Sequence, residues 1–93
     1  MESKKRKIGY RSRYRSTKEM DLILRQFWEK FGNNLSDEEL DIYEHFINED
    51  DFILYKWITN VVDAPLEYNS LISTIRKEIG KNMTIILDSG IRN

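Results

Sequence analysis

Three arginines and a serine–glutamate pair at helix-start spacing carry most of the chemistry this chain offers. In Arg11-Ser12-Arg13-Tyr14-Arg15-Ser16-Thr17-Lys18-Glu19-Met20-Asp21, a basic segment runs directly into the first turn of an acidic, amphipathic helix. Guanidinium groups grip carboxylates and main-chain oxygens through several fixed N–H donors. Arg11, Arg13 and Arg15 therefore offer a surface for an anion or an acidic partner. Ser16 and Glu19 have two readings. Their spacing is that of a capping box, in which each side chain satisfies an N–H group at a helix start. Asp21, one turn in, favours the positive end of the helix dipole. Capping leaves the arginines unexplained, because they add positive charge beside a helix end that is already positive. That arrangement invites an anionic or acidic partner.

Other chemistries find less support. No cysteine is present, which removes disulfides, thiolate metal sites and thiol catalysis and suits a reducing compartment. His45 is the single histidine, so no second imidazole exists to serve a serine nucleophile, and no glycine-rich phosphate loop or nucleophile elbow is found. The chain does not read as an enzyme. Asp41, His45 and Glu49 share a helix face at four-residue spacing, yet no further histidine or cysteine completes a metal site. The eight acids between Ser36 and Asp51 sit largely in first turns, where carboxylates stabilise helices. Trp28, Tyr43, Tyr55 and Trp57 fall on apolar stripes and read as core rather than as a stacking platform. Nucleic-acid binding through the basic segment with Tyr10 and Tyr14 is the alternative function, but acids frame the third and fourth helices and would repel phosphate.

Positioning these residues falls to short helices. Ninety-three residues make one small domain with a modest core. Its formal charge of −1 conceals a balance of +7 over residues 1–18 and −8 over the rest. Such asymmetry orients docking onto a charged partner. No apolar run is long enough to span a bilayer, the start lacks the apolar core of a secretory signal, and the basic start leads straight into folded sequence, so a cleaved targeting peptide is not expected. The periodicity predicts an all-α, compact bundle of about five short helices: a flexible basic arm over 1–7, the bundle over 8–80 and a tail over 81–93. A first short helix or turn is expected over 8–14. The second, over 17–31, carries Met20, Ile23, Leu24, Phe27, Trp28 and Phe31 on one stripe and stops at Gly32, placed for a left-handed cap. Ser36 and Glu39 form a capping box for the third helix, which runs to about Asn48 with Leu40, Tyr43, Phe46 and Ile47 inward. Asp50 or Asp51 caps a fourth, apolar almost all round and so expected to be central. Pro65 opens a fifth, with Leu71, Ile72, Ile75 and Ile79 inward up to Gly80. The apolar run Ile85-Ile86-Leu87 follows in the tail.

In this order and spacing the residues resemble the FAD assembly factors of succinate dehydrogenase, the SdhE family. The match rests on Tyr10-Arg11-Ser12-Arg13 with Arg15-Ser16-Thr17-Lys18-Glu19-Met20-Asp21, on Leu35-Ser36-Asp37-Glu38-Glu39, and on Tyr43-Glu44-His45-Phe46-Ile47-Asn48-Glu49-Asp50-Asp51 with Leu54-Tyr55-Lys56-Trp57. The family signature is arginine-glycine-x-x-glutamate at the start of the second helix. Arg15 and Glu19 match it and Asp21 matches a common accompanying acid, whereas Ser16 stands where the family usually has glycine. The resemblance implies a chaperone that binds the flavoprotein subunit of succinate dehydrogenase, with fumarate reductase as a further candidate, and promotes covalent FAD attachment. FAD would be the partner's cofactor, not one held by this chain. Arg15 would anchor to partner oxygen, Glu19 would hold Arg15 or a partner cation, and Arg11 and Arg13 would steer. Arg11, Arg13, Arg15, Ser16, Glu19 and Asp21 are thus the expected partner-binding residues. A monomer without metal or membrane insertion is expected, in the bacterial cytoplasm or, for a eukaryotic source, the mitochondrial matrix.

Overall fold

The computed structural model describes residues 2–81, and these are all-α. Five helices follow in order: α1 (Glu2–Arg11), α2 (Lys18–Phe31), α3 (Asp37–Ile47), α4 (Asp51–Ile58) and α5 (Asn69–Lys81), with short 3-10 turns at Gly32–Asn34 and Leu66–Tyr68. No strand occurs among the described residues. The run Ile85-Ile86-Leu87 and the tail beyond Lys81 lie outside them.

The core gathers the predicted stripes. Met20, Ile23, Leu24 and Phe27 of α2 meet Leu40, Tyr43, Phe46 and Ile47 of α3, Leu54, Trp57 and Ile58 of α4, and Ile72 and Ile75 of α5. Aromatic rings bind the layers together. Trp28 stacks on Tyr43 at 5.5 Å between centroids, and Phe46 meets the edge of Tyr68 at 5.2 Å. Arg76 of α5 donates to the carbonyls of Ile58 (2.8 Å) and Trp57 (2.9 Å), placing a cation at the negative end of α4. The Ser36–Glu39 capping box forms as expected, with Glu39 N donating to Ser36 Oγ and Ser36 N to Glu39 Oε1.

Four expectations are corrected. Residues 2–7 are not a flexible arm: they are the first turns of α1, which ends at Arg11 rather than reaching Tyr14. The helix is anchored by Ile8, fully buried in the core, and by Lys4, which pairs with Asp41 and lies 3.7 Å from Glu44 on α3. Ile8 is the one large apolar side chain buried among the described residues of α1, which leaves no stripe for periodicity to detect. Gly32 is right-handed (φ −54°, ψ −40°), so it is no left-handed cap. Its need for glycine is steric, because a Cβ there would stand 2.7 Å from the Trp28 ring. Helix α4 is not buried all round, since Phe52 and Ile53 face outward, 66% and 40% exposed. Of the two candidate caps for α4, Asp50 fills the role, accepting from Phe52 N at 3.0 Å. Finally, Pro65 precedes a 3-10 turn rather than opening α5 itself.

Candidate partner-binding site

The segment between α1 and α2, residues 12–17, is tied down by two polar knots. The first is buried. Ser12, fully buried, donates its hydroxyl proton to the Ile8 carbonyl (2.9 Å), and its oxygen lies 2.6 Å from the Tyr43 hydroxyl. Ser12 has one proton and has spent it, so Tyr43 is the donor to Ser12. Burial pushes the Tyr43 phenol well above its usual range, against the pull of the Ser12 hydrogen bond and the Arg15 charge. The knot therefore holds as a neutral chain from α3 through the loop to α1.

The second knot centres on Asp51, the first residue of α4. Its Oδ1 accepts from Arg15 Nε at 2.9 Å and lies 2.8 Å from Arg15 Nη2. Its Oδ2 accepts from Ser16 N (2.8 Å), Ser16 Oγ (2.9 Å) and Thr17 N (3.1 Å). Arg15 also donates through Nη1 to the Arg11 carbonyl (2.8 Å) and through Nη2 to the Ile47 carbonyl (2.9 Å). The pair is internal, with side chains only 11% and 2% exposed. Burial alone would raise the Asp51 pKa; donation from Arg15, Thr17 and Ser16, together with the Arg15 charge, holds it below the usual carboxylate value.

These contacts redistribute the expected roles. Thr17, not Ser16, caps α2, accepting from Met20 N at 3.3 Å. Ser16 is turned toward Asp51 instead, and the Ser16–Glu19 capping box does not form. Arg15 is held by Asp51 rather than by Glu19, which makes no side-chain hydrogen bond or ion pair among the described residues and borders a hollow with Phe52 and Tyr55. Asp21 braces the knot, accepting from Arg15 N (3.4 Å) and pairing with Arg25 (3.1 Å). Arg11 is exposed at the end of α1, and Arg13 points away from the knot toward Glu29 at 3.8 Å. The structure thus brings Arg15, Ser16 and Asp21 together, leaves Glu19 to one side, exposes Arg11 and turns the half-buried Arg13 toward Glu29. Asp51 is the residue that sequence reasoning missed as a site member. Its signal was its place beside Asp50, where one acid suffices to cap.

Held at both ends, the loop carries Tyr14 in the left-handed region at φ 56°, a conformation that costs a bulky side chain of the order of 1–3 kcal/mol. Tyr14 is 72% exposed and packs against the equally outward Tyr10, ring centroids 5.2 Å apart. The surface is a ridge of two tyrosines flanked by Arg11 and Arg13, suited to non-covalent contact with an acidic surface. Three or more clustered His, Cys, Asp or Glu side chains able to hold a metal are not found among the described residues. No described helix is long and apolar enough to cross a membrane.

A family described as the flavinator of succinate dehydrogenase matches residues 6–79. The chain is 38% identical over 84 residues to succinate dehydrogenase assembly factor 2-A, mitochondrial, of Drosophila willistoni, covering 88% of this chain and 54% of that one. It is 38% identical to the Drosophila persimilis protein of the same name over 88% of this chain and 52% of that one. To succinate dehydrogenase assembly factor 2, mitochondrial, of Meyerozyma guilliermondii it is 40% identical over 63 residues, 68% of this chain and 47% of that one. The chain spans about half the length of these relatives. No solved structure matches it significantly.

Proposed function

This chain belongs to the family of succinate dehydrogenase flavinators, and from that membership we propose that it binds the flavoprotein subunit of succinate dehydrogenase and promotes covalent attachment of FAD to it. The related flavoprotein of fumarate reductase is a second client of the same chemistry. The chain acts as a monomeric chaperone and makes no bond itself. In the client, the flavin ring methyl would lose a proton and become electrophilic, a histidine would add to it, and the two electrons left on the ring would pass to an external oxidant, with the ring's negative charge stabilised inside the client's own site. The chaperone contributes by binding preferentially the client conformation in which FAD, histidine and stabilising charges are aligned. It does so wherever that client folds, in the mitochondrial matrix of a eukaryote or the cytoplasm of a bacterium.

The observation that carries this reading is the Arg15–Asp51 knot. It fixes the loop at the family's signature position, where Tyr14 stands exposed beside Tyr10, with Arg11 and the half-buried Arg13 flanking them. A preorganised surface loses little entropy on docking. Arg15, Ser16 and Asp21 act by holding the surface, while Arg11, Arg13 and Glu19 meet the client. Surface plasmon resonance of the chain over immobilised FAD-loaded flavoprotein subunit tests it. Binding should weaken when Arg11 and Arg13 are both changed to Gln, with the helical circular dichroism spectrum unaltered. Equal binding by that variant sinks the reading of this surface.

A further inference from the structure

A second cleft lies on the other side of the tyrosine ridge, between α1 and α2. Lys5, Arg6 and Arg13 supply its charge, Tyr10 and Tyr14 its rim, and Trp28 with Gly9 its floor, enclosing about 320 Å³. No acid lines it. Lys5 and Arg6 enter no ion pair or side-chain hydrogen bond among the described residues, and the Arg13 contact with Glu29 is long, at 3.8 Å. Arg13 Nε is the one buried side-chain nitrogen or oxygen among the described residues with no hydrogen-bond partner. Such atoms are rare in folded proteins and call for an acceptor. Glycine at position 9 lets the indole come over the α1 backbone, since a Cβ there would stand 2.6 Å from Trp28 Nε1. The cleft therefore gathers guanidinium, ammonium and phenol donors, and among the described residues only the long Glu29 contact with Arg13 answers its cations from inside the chain.

We infer that this cleft binds carboxylate side chains of an acidic polypeptide segment of the client, reading them through Lys5, Arg6 and Arg13 against the Trp28 and tyrosine rings. The assignment of the segment to the client rests on the flavoprotein-binding reading above. A peptide is the occupant the observations favour over a nucleic acid. Across the ridge the neighbouring hollow is of mixed sign, with Arg11, Arg13 and Arg15 set against Glu49, Asp50 and Asp51, so the purely basic lining does not continue as a track for a run of phosphates and matches a short acidic segment instead. The cleft's aromatic rim also suits the aliphatic stems of glutamates lying across it.

The test uses the full chain carrying Trp57→Phe, so that Trp28 alone reports. N-acetylated hexaglutamate is titrated at low salt, in parallel with inorganic phosphate and a single-stranded oligonucleotide of equal charge. The peptide should produce a saturable change in Trp28 emission and should bind more tightly than either phosphate or the oligonucleotide. Changing both Lys5 and Arg6, which lie outside the core, to Gln should weaken it at least roughly tenfold, and Arg13→Gln should do the same. Undiminished binding by both variants overturns the inference, and so does tighter binding of the oligonucleotide. Covalent flavin on the client, measured with the same proteins, separates the two proposals. If the unaltered chain binds hexaglutamate yet leaves covalent flavin unchanged, the cleft stands and the flavoprotein reading falls. If the Lys5/Arg6 variant raises covalent flavin as well as the unaltered chain does, the cleft has no place in client binding.

Discussion

At the scale of single residues, the centre of the surface is an internal charge pair. Arg15 was legible in the sequence as the key arginine, but its role was not, because nothing in the order of residues says which acid faces it. Asp51, 36 positions away, could be explained by the α4 dipole alone. Removing one member strands the other in a buried site, so Arg15→Ala should cost about 3–5 kcal/mol of stability, read as a lowered urea midpoint. A change near zero would mean that the pair is open to solvent. The pair also sets a pH dependence. The Asp51 pKa is depressed in the folded state, so the unfolded chain binds more protons as the medium acidifies. Its contribution is complete above the ordinary carboxylate range and is lost as pH falls through the folded-state value. Asp51→Asn should accordingly lower stability near neutrality and flatten its acid limb in denaturation curves taken at several pH values. Tyr14 shows the opposite balance. Tyr14→Gly relieves the left-handed strain and should raise the melting temperature while weakening client binding, because the exposed ring is lost. A stabilised variant that binds fully would remove the ring from the contact surface.

At the scale of elements, helices with both a stripe and a punctuating residue were readable, and those lacking either were not. Helix α3 was visible through Ser36, Glu39 and its four inward residues, all of which the structure buries or caps as expected. Helix α1 was not, because Ile8 alone enters the core and the long basic side chains around it spell an arm. They also favour helix, since straight-chain residues lose little freedom there. Gly32 was read for its dihedral freedom when its real service is room for Trp28, a tertiary contact with no local signature. The distinction is measurable. Gly32→Ala suits the right-handed backbone but drives its methyl into the indole that stacks on Tyr43, so it should destabilise by about 1–3 kcal/mol and shift the tryptophan emission. Stabilisation, the usual result of Gly→Ala in a helical conformation, would show that the indole yields freely.

At the scale of the whole molecule, the charge division legible from the first eighteen residues survives in the fold, but as a basic helix and loop rather than an unstructured arm. Part of it is neutralised by Asp41 and Glu44 of α3 beside Lys4, by Asp51 of α4 on Arg15, and more distantly by Glu29 of α2 near Arg13. Of the other cations, Lys5, Arg6, Arg11 and Arg13 line the hollows that border the tyrosine ridge, which is why docking should be steered by charge and anchored by rings. All of this rests on the client being a flavoprotein. The direct measurement is covalent flavin on a succinate dehydrogenase flavoprotein subunit of the same source, read by in-gel fluorescence after denaturation, with FAD in excess and the chain present or absent. The fluorescence should rise when the chain is added and fall back when Tyr14 and Arg13 are replaced. Equal covalent flavin with and without the chain, on a subunit competent to receive it, would contradict the account.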